Sequence, residues 1–320
     1  MKKSLTAYGP VWDGAGVRGF SKEGYWYHSL FPGGIRFEGS TFVAKTVTAQ
    51  ANQGNMDLRP FLYTPEDYFP DCIHVDLVQG IALNSVGLAN PGIESFLTRK
   101  RWQKLQEPFF ISFMTLNTPE EGYLRETEYF KNVLKRSLPH FCSRQVGLQL
   151  NVSCPNVGAD MSTIVKKALA QLSILGELDM PIVVKLNLLV TPQEAARIAS
   201  HPRCDGLCIA NTVPFGKYYE ASFWDKLFPK GSPLLARNEK YGGGGLSGKL
   251  LLPEVVKWVR RFRELDQNTH VNAGGGIMHA NDVEKLLNAG ANSISFATVA
   301  MVRPWRVKSI ISAAHYLTGR

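Results

Sequence analysis

Short apolar runs alternate with amphipathic stretches along almost the whole chain. Eight of the apolar runs are rich in β-branched and aromatic residues and are bounded by polar residues or glycines, which is typical of β-strands. They are VWDGAG (11–16), FVAKTV (42–47), PFFISFM (108–114), VGLQLNVS (146–153), IVVKLN (182–187), GLCIAN (206–211), HVNAGG (270–275) and SISFAT (293–298). The pattern therefore predicts eight strands distributed over the full length of the chain.

The stretches between these runs carry the sequence signals of helices. After the third run, Thr118 is placed to cap a helix N-terminus, Pro119 stands at the first helical position and Glu121 follows three residues after the cap. The segment TPQEAARIAS (191–200) repeats this opening. The segment HANDVEKLLNAGA (279–291) closes with a glycine, as helices commonly do.

Eight strand–helix units over roughly 300 residues predict a (β/α)8 TIM barrel, with an open doubly wound sheet as the runner-up. No Pro/Ser-rich linker divides the chain, so we expect a single domain over residues 1–320. The stretch from Asn52 to Pro91 interrupts the rhythm of strands and helices. We expect it to form an insertion over the C-terminal mouth of the barrel.

The composition argues against several classes of protein. Hydrophobic residues make up 44% and charged residues 20% of the chain, which is typical of a soluble globular protein. No apolar run reaches the ~18 residues that a membrane helix needs, and the N-terminus lacks the apolar core of a signal peptide. The five cysteines are scattered and odd in number, which favours reduced thiols in a cytoplasmic protein. Only Cys204 and Cys208 lie close together, so we expect no metal site.

The formal net charge of +9 is compatible with nucleic-acid binding, but the basic residues are spread along the chain. The densest cluster, RKRWQK (99–104), is expected to cap and solvate the end of a helix. We therefore expect the positive field to favour anionic small molecules, and we expect neither a nucleic acid nor a membrane as partner.

In a (β/α)8 barrel the chemistry lies at the C-terminal ends of the strands. Polar and small residues recur at that end of one predicted strand after another. They are Lys45, Asn151 with Cys154, Lys185, Asn211 with Thr212, Gly275 with Gly276, and Ala297 with Thr298. Packing alone requires no lysine inside a strand, and a buried lysine without a charged partner is costly. The two lysines therefore favour anionic or electron-rich ligands.

Two loops near the C-terminus predict a phosphate site. HVNAGGGI ends one strand in three glycines, and SISFATVA ends the next strand in Ala297 and Thr298. Small residues in these loops let backbone N–H groups and a helix N-terminus reach phosphate oxygens. The alternative is that the glycines only form tight turns. A further glycine-rich stretch, YGGGGLSGKL (241–250), approaches the P-loop pattern, but Leu250 stands where Ser or Thr is required, so we reject an ATP site.

Cys154 lies in NVSCPN (151–156), where a proline ends the incoming strand. A lone cysteine is commonly a buried core residue. This one is flanked by the carboxamides of Asn151 and Asn156 at the end of a barrel strand, where a reactive thiol would meet a ligand.

These motifs occur together and in order in a known family. NVSCPN, VVKLN, DGLCIANT, GGLSGK and NAGGGI with LLNAGANSISFAT closely resemble the dihydroorotate dehydrogenase family, and AKTVTAQANQGN and NSVGLANPG extend the resemblance towards the N-terminus. The resemblance covers nearly the whole chain. It implies an FMN-binding barrel that oxidises dihydroorotate to orotate in pyrimidine biosynthesis. Soluble class 1 members have cysteine as the catalytic base and class 2 members have serine, so Cys154 implies class 1.

The resemblance also implies roles for individual residues. Cys154 resembles the base that takes the C5 proton of the substrate, and Lys185 resembles the lysine near flavin N1 and O2, where a fixed positive charge stabilises the reduced flavin. The residues implied to bind substrate are Lys45, Asn84, Ser85, Val86, Gly87, Leu88, Asn151, Asn156, Asn211 and Thr212. Those implied to bind the cofactor are Ala15, Gly16, Lys45, Thr46, Asn151, Lys185, Ala210, Gly248, Gly275, Gly276, Ala297 and Thr298.

The sequence is compatible with three functions. The first is an FMN oxidoreductase acting on dihydroorotate. The second keeps the flavin and the cysteine but changes the substrate to another dihydropyrimidine or a cyclic enone. It is kept open because the aromatic-rich SKEGYWYHSLF (21–31) departs from the family pattern and residues at the mouth help to choose the substrate. The third, a non-catalytic barrel that binds phosphate ligands or nucleic acid, is disfavoured because it needs neither Cys154 nor Lys185.

The sequence does not name the electron acceptor. Class 1 enzymes either reduce fumarate or pass electrons to a partner subunit that carries FAD and an iron–sulfur cluster. The resemblance also implies a homodimer.

Overall fold

The computed structural model describes residues 2–30, 34–152 and 161–319. Its strands are β1 (Val11–Asp13), β2 (Phe42–Val43), β3 (Ile73–Asp76), β4 (Ile81–Asn84), β5 (Phe109–Phe113), β6 (Val146–Asn151), β7 (Ile182–Leu186), β8 (Gly206–Ile209), β9 (Val213–Pro214), β10 (Gly245–Gly248), β11 (His270–Gly274) and β12 (Ser293–Phe296). Its α-helices are α1 (Ile93–Thr98), α2 (Glu120–Ser137), α3 (Met161–Leu175), α4 (Pro192–Ala199), α5 (Ala221–Leu227), α6 (Pro233–Arg237), α7 (Leu252–Leu265), α8 (Ala280–Asn288), α9 (Thr298–Val302) and α10 (Val307–Thr318). Short 3-10 helices cover Thr6–Tyr8, Trp26–Ser29, Leu138–His140, Glu239–Tyr241, Lys249–Leu251 and Pro304–Arg306.

Eight of these strands form one parallel sheet that closes on itself. The order around the sheet is β1-β12-β11-β8-β7-β6-β5-β2. The two end strands meet where Thr41 pairs with Trp12 in a parallel bridge. Thr41 donates its N–H to the carbonyl of Val11 at 2.8 Å, and the N–H of Asp13 donates to the carbonyl of Thr41 at 2.9 Å. The predicted (β/α)8 barrel and all eight of its predicted strands are confirmed.

The helix starts confirm one predicted cap and correct another. At α4, Thr191 and Glu194 form the predicted capping box, in which each side chain accepts from the other residue's backbone N–H. The prediction that Thr118 caps α2 was wrong, because that helix begins at Glu120 and Pro119 occupies the cap position in an extended conformation. The Glu126 carboxylate instead holds the chain before α2, where it accepts from the N–H groups of residues 116 and 117.

Aromatic side chains fill the N-terminal half of the barrel interior. The Phe110 ring lies 4.2 Å from the Tyr8 ring and 4.6 Å from the Trp12 ring, measured between centroids. Gly147 makes room for this cluster, because a Cβ at that position would lie 2.4 Å from the Phe110 ring. Since the interior is packed at this end, a ligand has room only at the C-terminal ends of the strands.

A second, four-stranded antiparallel sheet lies over that C-terminal end, in the order β3-β4-β10-β9. Two of its strands come from the insertion predicted over 52–91, and the other two come from the loop after β8. Asn84 of β4 and Ser247 of β10 line the cavity at the barrel mouth. The predicted insertion over the mouth is therefore confirmed, although half of its sheet is supplied by a distant segment.

Within the residues described, none of the helices combines the length and the apolar character needed to cross a membrane.

Candidate active site

A cavity of about 970 Å³ opens at the C-terminal ends of the barrel strands, and we call it the mouth cavity. Its volume lies near the upper end of the ~300–1,000 Å³ range that is typical of small-molecule sites. Most of the site residues predicted from the sequence line it. They are Ala15, Gly16, Lys45, Thr46, Asn84, Val86, Gly87, Leu88, Asn151, Lys185, Ala210, Asn211, Thr212, Gly275, Gly276, Ala297 and Thr298.

Four predicted site residues are not among those lining residues. Cys154 and Asn156 lie outside the described part of the chain. Ser85 is buried behind the cavity wall, where its N–H donates to the carbonyl of Cys72 at 2.8 Å and its own carbonyl accepts from the Asn55 amide at 2.7 Å. Gly248 packs against the backbone of residue 80, and a Cβ there would lie 2.3 Å from that residue's carbonyl oxygen.

The floor of the mouth cavity is built from adjacent strands in register. Asn151 of β6 pairs with Lys185 of β7, and Lys185 pairs with Cys208 of β8. The Asn211 amide donates to the Asn151 side-chain oxygen at 3.1 Å, and the Thr212 N–H donates to the Asn211 side-chain oxygen at 3.1 Å. These bonds fix the orientation of two carboxamides beside a cation.

Three further polar residues of the floor were missed by the sequence analysis: Gln149, Cys208 and Ser295. Each lies on a barrel strand two positions before a predicted site residue, which stands on the same strand or directly after it. The period-2 alternation of an extended chain points both residues to the same side. That alternation was the signal that could have found them. Burial raises the pKa of the Cys208 thiol, and the neighbouring Lys185 charge opposes the rise. The thiol donates to the Asn272 side-chain oxygen at 3.3 Å.

Lys45 follows β2 and contributes a cation to the wall of the mouth cavity. Burial lowers the pKa of its ammonium group to about 8, although the Cys72 thiol and the Glu23 carboxylate act in the opposite direction. The ammonium nitrogen lies 4.9 Å from the centroid of the Phe20 ring. At neutral pH Lys45 is therefore protonated in most molecules of the protein. The ammonium group loses its charge as the pH rises through about 8.

This pKa predicts how the binding of an anion depends on pH. If Lys45 contacts the carboxylate of orotate, the dissociation constant of orotate should rise by up to about tenfold as the pH increases from about 7 to about 9. The affinity falls with rising pH because only the protonated lysine attracts the carboxylate. Titration of orotate into the wild type and into Lys45→Met checks this. A wild-type profile as flat as that of the variant would contradict the contact.

Two consecutive glycines form a backbone cradle on another side of the mouth cavity. Gly275 and Gly276 have φ of +96° and +93°, which L side chains rarely adopt. A Cβ at Gly276 would lie 2.6 Å from the backbone nitrogen of Leu252 and 2.9 Å from the carbonyl oxygen of Gly248. Glycine is therefore required here both by conformation and by space.

Small residues on other loops line the same cavity as the cradle. Ala297 precedes α9, and a Cβ at Gly14 would lie 2.8 Å from the Ala297 Cβ. The Thr298 hydroxyl donates to the Ser247 hydroxyl at 3.0 Å. Backbone groups can thus approach a flat or anionic ligand closely from several sides of this region.

Comparison with known proteins supplies the family. The family model described as "Dihydroorotate dehydrogenase" matches residues 9–315. The chain belongs to the dihydroorotate dehydrogenase family.

Individual members of this family match over most of their length. The fumarate-type dihydroorotate dehydrogenase A of Lactobacillus delbrueckii subsp. bulgaricus is 30% identical over 262 residues, which are 79% of this chain and 73% of the relative. The catalytic subunit of the NAD(+)-type dihydroorotate dehydrogenase B of Anoxybacillus flavithermus is 27% identical over 314 residues, 96% of this chain and 86% of the relative. The crystal structure of DHODH in complex with ferulenol from Eimeria tenella has a TM-score of 0.66 at 18% identity and covers 97% of this chain and 81% of its own, which supports the fold.

Dihydroorotate dehydrogenases are flavin-dependent oxidoreductases, and the mouth cavity fits a flavin. Gly275 and Gly276 line the cavity without a side chain, so a ligand can approach their backbone closely. The same cavity holds Lys185 on its floor. A glycine-lined surface and a cation within one cavity suit a ligand that has a phosphate and an electron-accepting ring.

One wall of the mouth cavity departs from the family pattern seen in the sequence. Tyr25, Trp26, Tyr27 and His28 line the cavity although no role was predicted for them. The Tyr25 hydroxyl donates to the carbonyl of Gly16 at 2.7 Å, which ties this aromatic segment to the loop after β1. The richness of 21–31 in aromatic residues was visible in the sequence, but its position against the cavity was not.

Proposed function

We propose that the protein is a class 1 dihydroorotate dehydrogenase that uses FMN to oxidise dihydroorotate to orotate. One observation carries the proposal: the glycine cradle, the Lys185 cation and the Asn151 carboxamide converge on a single cavity at the C-terminal mouth of the barrel. The family supplies the reaction, and the cavity supplies the residue types that the reaction needs.

The carboxamides would bind the substrate ring. Each carboxamide offers two N–H donors and a carbonyl acceptor, which matches the alternating N–H and C=O groups of a pyrimidinedione ring. The proposed set is Asn84, Asn151, Asn156 and Asn211, with Thr212 and the 85–88 segment beside it. The Lys45 ammonium would bind the carboxylate, since it is mostly protonated at neutral pH.

Cys154 would act as the general base that removes the C5 proton of dihydroorotate. FMN, when bound, supplies the hydride acceptor for the C6 hydrogen. Lys185 would stabilise the negative charge that this transfer places nearby. Backbone groups at Ala15, Gly16, Thr46, Ala210, Gly248, Gly275, Gly276, Ala297 and Thr298 would hold the flavin and its phosphate.

The relatives divide between a fumarate type and a subunit of an NAD(+) type. We propose a cytoplasmic homodimer whose reduced flavin is reoxidised either by fumarate or by an electron-transfer partner subunit. The four cysteines that the structure describes are free thiols. Among the residues that the structure describes, no three His, Cys, Asp or Glu side chains are grouped so that they could hold a metal ion, so any iron–sulfur cluster in the second arrangement would belong to the partner.

A second candidate function is oxidation of another dihydropyrimidine or of a cyclic enone at the same flavin. The aromatic segment at Tyr25–His28 favours keeping this candidate, because it changes the surface that an incoming substrate meets. The catalytic residues would be the same in both cases.

Anaerobic mixing of the purified yellow protein with dihydroorotate tests the proposal. We expect the visible flavin absorbance to bleach and to return when fumarate or another oxidant is added. Dihydrouracil, which lacks the carboxylate, is the matched control and should bleach the flavin much more slowly. A flavin that dithionite reduces but dihydroorotate does not would refute the substrate and leave the cofactor standing.

A further inference from the structure

The floor of the mouth cavity contains a buried carboxamide to which the proposed function assigns no role. Gln149 lies on β6, one inward-facing position deeper in the barrel than Asn151. The residue is only 1% exposed, and it lines the mouth cavity. Burying a carboxamide is costly unless its oxygen and its N–H groups find hydrogen-bond partners. The partners that Gln149 has, and those that it lacks, therefore indicate what the floor can offer a ligand.

The side-chain oxygen of Gln149 is already bonded inside the barrel. Ser112 is the register partner of Gln149 on β5, and its hydroxyl donates to Gln149 Oε1 at 3.2 Å. The Ser112 oxygen also lies 2.9 Å from the Thr46 hydroxyl oxygen. Since a serine hydroxyl has only one proton to donate, the Thr46 hydroxyl is the donor in this second bond. The chain of hydroxyl groups thus runs from Thr46 through Ser112 to Gln149 and turns the carboxamide oxygen towards β5.

The side-chain nitrogen of Gln149 remains available to a ligand. Gln149 Nε2 makes no hydrogen bond to any residue in the described part of the chain. It also differs from polar atoms that are both unpartnered and completely enclosed, such as the Tyr8 hydroxyl. Nε2 therefore has an accessible side, and the open space that Gln149 borders is the mouth cavity. Two N–H donors on a buried side chain face this cavity without an acceptor.

The depth of Gln149 favours the cofactor over the substrate as the acceptor. Asn151 is the last residue of β6 and Asn211 follows β8, so the carboxamides proposed for the pyrimidine ring stand at the strand ends. The substrate and product must exchange through the opening of the cavity in every cycle, whereas a tightly bound cofactor stays in place. The ring that remains bound is therefore expected against the deepest part of the floor. A flavin ring offers carbonyl oxygens and unprotonated nitrogens as acceptors.

We propose that Gln149 donates from Nε2 to an acceptor on the flavin ring of FMN, and that Ser112 is the positioning residue that orients the carboxamide for this bond. The inference rests on the proposed function for the presence of FMN and adds two residues to it. Reduction places negative charge on the ring and strengthens its acceptors, and the Lys185 cation lines the same floor. A fixed donor therefore binds the reduced ring more tightly than the oxidised ring and raises the reduction potential.

Gln149→Met tests the hydrogen bond, because methionine has a similar length and shape but no N–H donor. The ratio of the affinities for reduced and oxidised FMN should fall roughly three- to tenfold, as expected for one lost hydrogen bond. This fall lowers the two-electron reduction potential by about 15–30 mV. Reduction at equilibrium with a dye of known potential measures the change. The measurement needs no dihydroorotate, so a failure of the proposed substrate would be recognised separately.

Gln171→Met is the matched control for this substitution. Gln171 is also 1% exposed, but it lies on α3 and does not line the mouth cavity. Its replacement removes a buried carboxamide of the same size and should leave the reduction potential unchanged. If Gln149→Met had the same potential as Gln171→Met, the proposal would be overturned. A weaker orotate affinity in that case would assign Gln149 to the substrate instead.

Ser112→Ala tests the orientation of the carboxamide. The potential should fall in the same direction as in Gln149→Met but by a smaller amount, because the N–H donors remain and only their orientation is released. In the Gln149→Met background, Ser112→Ala should cause no further change in the potential, since a positioning residue acts only through the group that it positions. Additive effects of the two substitutions would contradict the positioning role of Ser112.

Discussion

Replacing Cys154 with serine is expected to slow the reduction of the bound flavin by dihydroorotate about 100-fold or more, in line with typical general-base contributions. A thiol has a reference pKa of ~8.5, whereas a serine hydroxyl has a far higher pKa and is a much weaker base at neutral pH. The two side chains are nearly isosteric, so FMN content and orotate affinity should stay close to those of the wild type. Anaerobic stopped-flow absorbance at the flavin band measures the rate.

The pH dependence adds a second readout for the same residue. In the wild type the reduction rate should rise with pH through the pKa of the thiol, because the thiolate is the proton acceptor. Cys142→Ser is the matched control, since Cys142 is an exposed free cysteine outside the mouth cavity. If Cys154→Ser reduced its flavin as fast as Cys142→Ser, Cys154 would be a packing residue and the base would have to be found elsewhere.

Replacing Gly276 with alanine is expected to yield a protein that purifies with little or no flavin. The new Cβ would lie within 3 Å of two backbone atoms, at Leu252 and Gly248, which cannot rotate away as a flexible side chain could. The clash would push the start of α7 away from the cradle. Flavin occupancy, measured from the visible absorbance relative to the protein, checks this result.

Gly231→Ala separates the clash from the backbone strain. Gly231 also has a positive φ, of +75°, but a Cβ there would meet no atom within 4 Å. Both variants pay about 1–2 kcal/mol for a left-handed alanine, so both should melt at a lower temperature. Only Gly276→Ala should lose the flavin. Full occupancy in that variant would show that the cradle does not hold the cofactor.

Much of the barrel could be predicted from the sequence, because parallel strands that are covered by helices are marked by short apolar runs. The four-stranded antiparallel sheet over the mouth could not be predicted. β4 pairs with β10, which follows more than a hundred residues later, and no local pattern reports a pairing over that distance. The start of α2 was misplaced because a threonine before a proline resembles a cap whether or not its side chain reaches the helix.

Some of the residues that line the mouth cavity could likewise be predicted from the sequence, and others could not. Residues at strand ends were found because the barrel gathers those ends at one mouth. Gln149 and Ser295 were missed because each lies one inward-facing position deeper, inside a run that was read as packing. Tyr27 was missed for a different reason. Its loop carries no periodic pattern, so its place against the cavity depends on tertiary contacts, such as the bond from Tyr25 to Gly16, that the sequence does not report.

The aromatic packing around Trp12 and Phe110 has a consequence for the order of events in a catalytic cycle. These fully buried side chains fill the barrel axis below the cavity floor, so a small molecule has no route along the axis through the described residues. The dihydropyrimidine, its oxidised product and any diffusible oxidant would therefore enter and leave through the same opening of the mouth cavity. A single opening favours a ping-pong mechanism, in which the first product leaves before the oxidant reaches the flavin. Double-reciprocal plots of the initial rate against dihydroorotate concentration, each at a fixed oxidant concentration, would then be parallel lines. Orotate would inhibit competitively with respect to the oxidant.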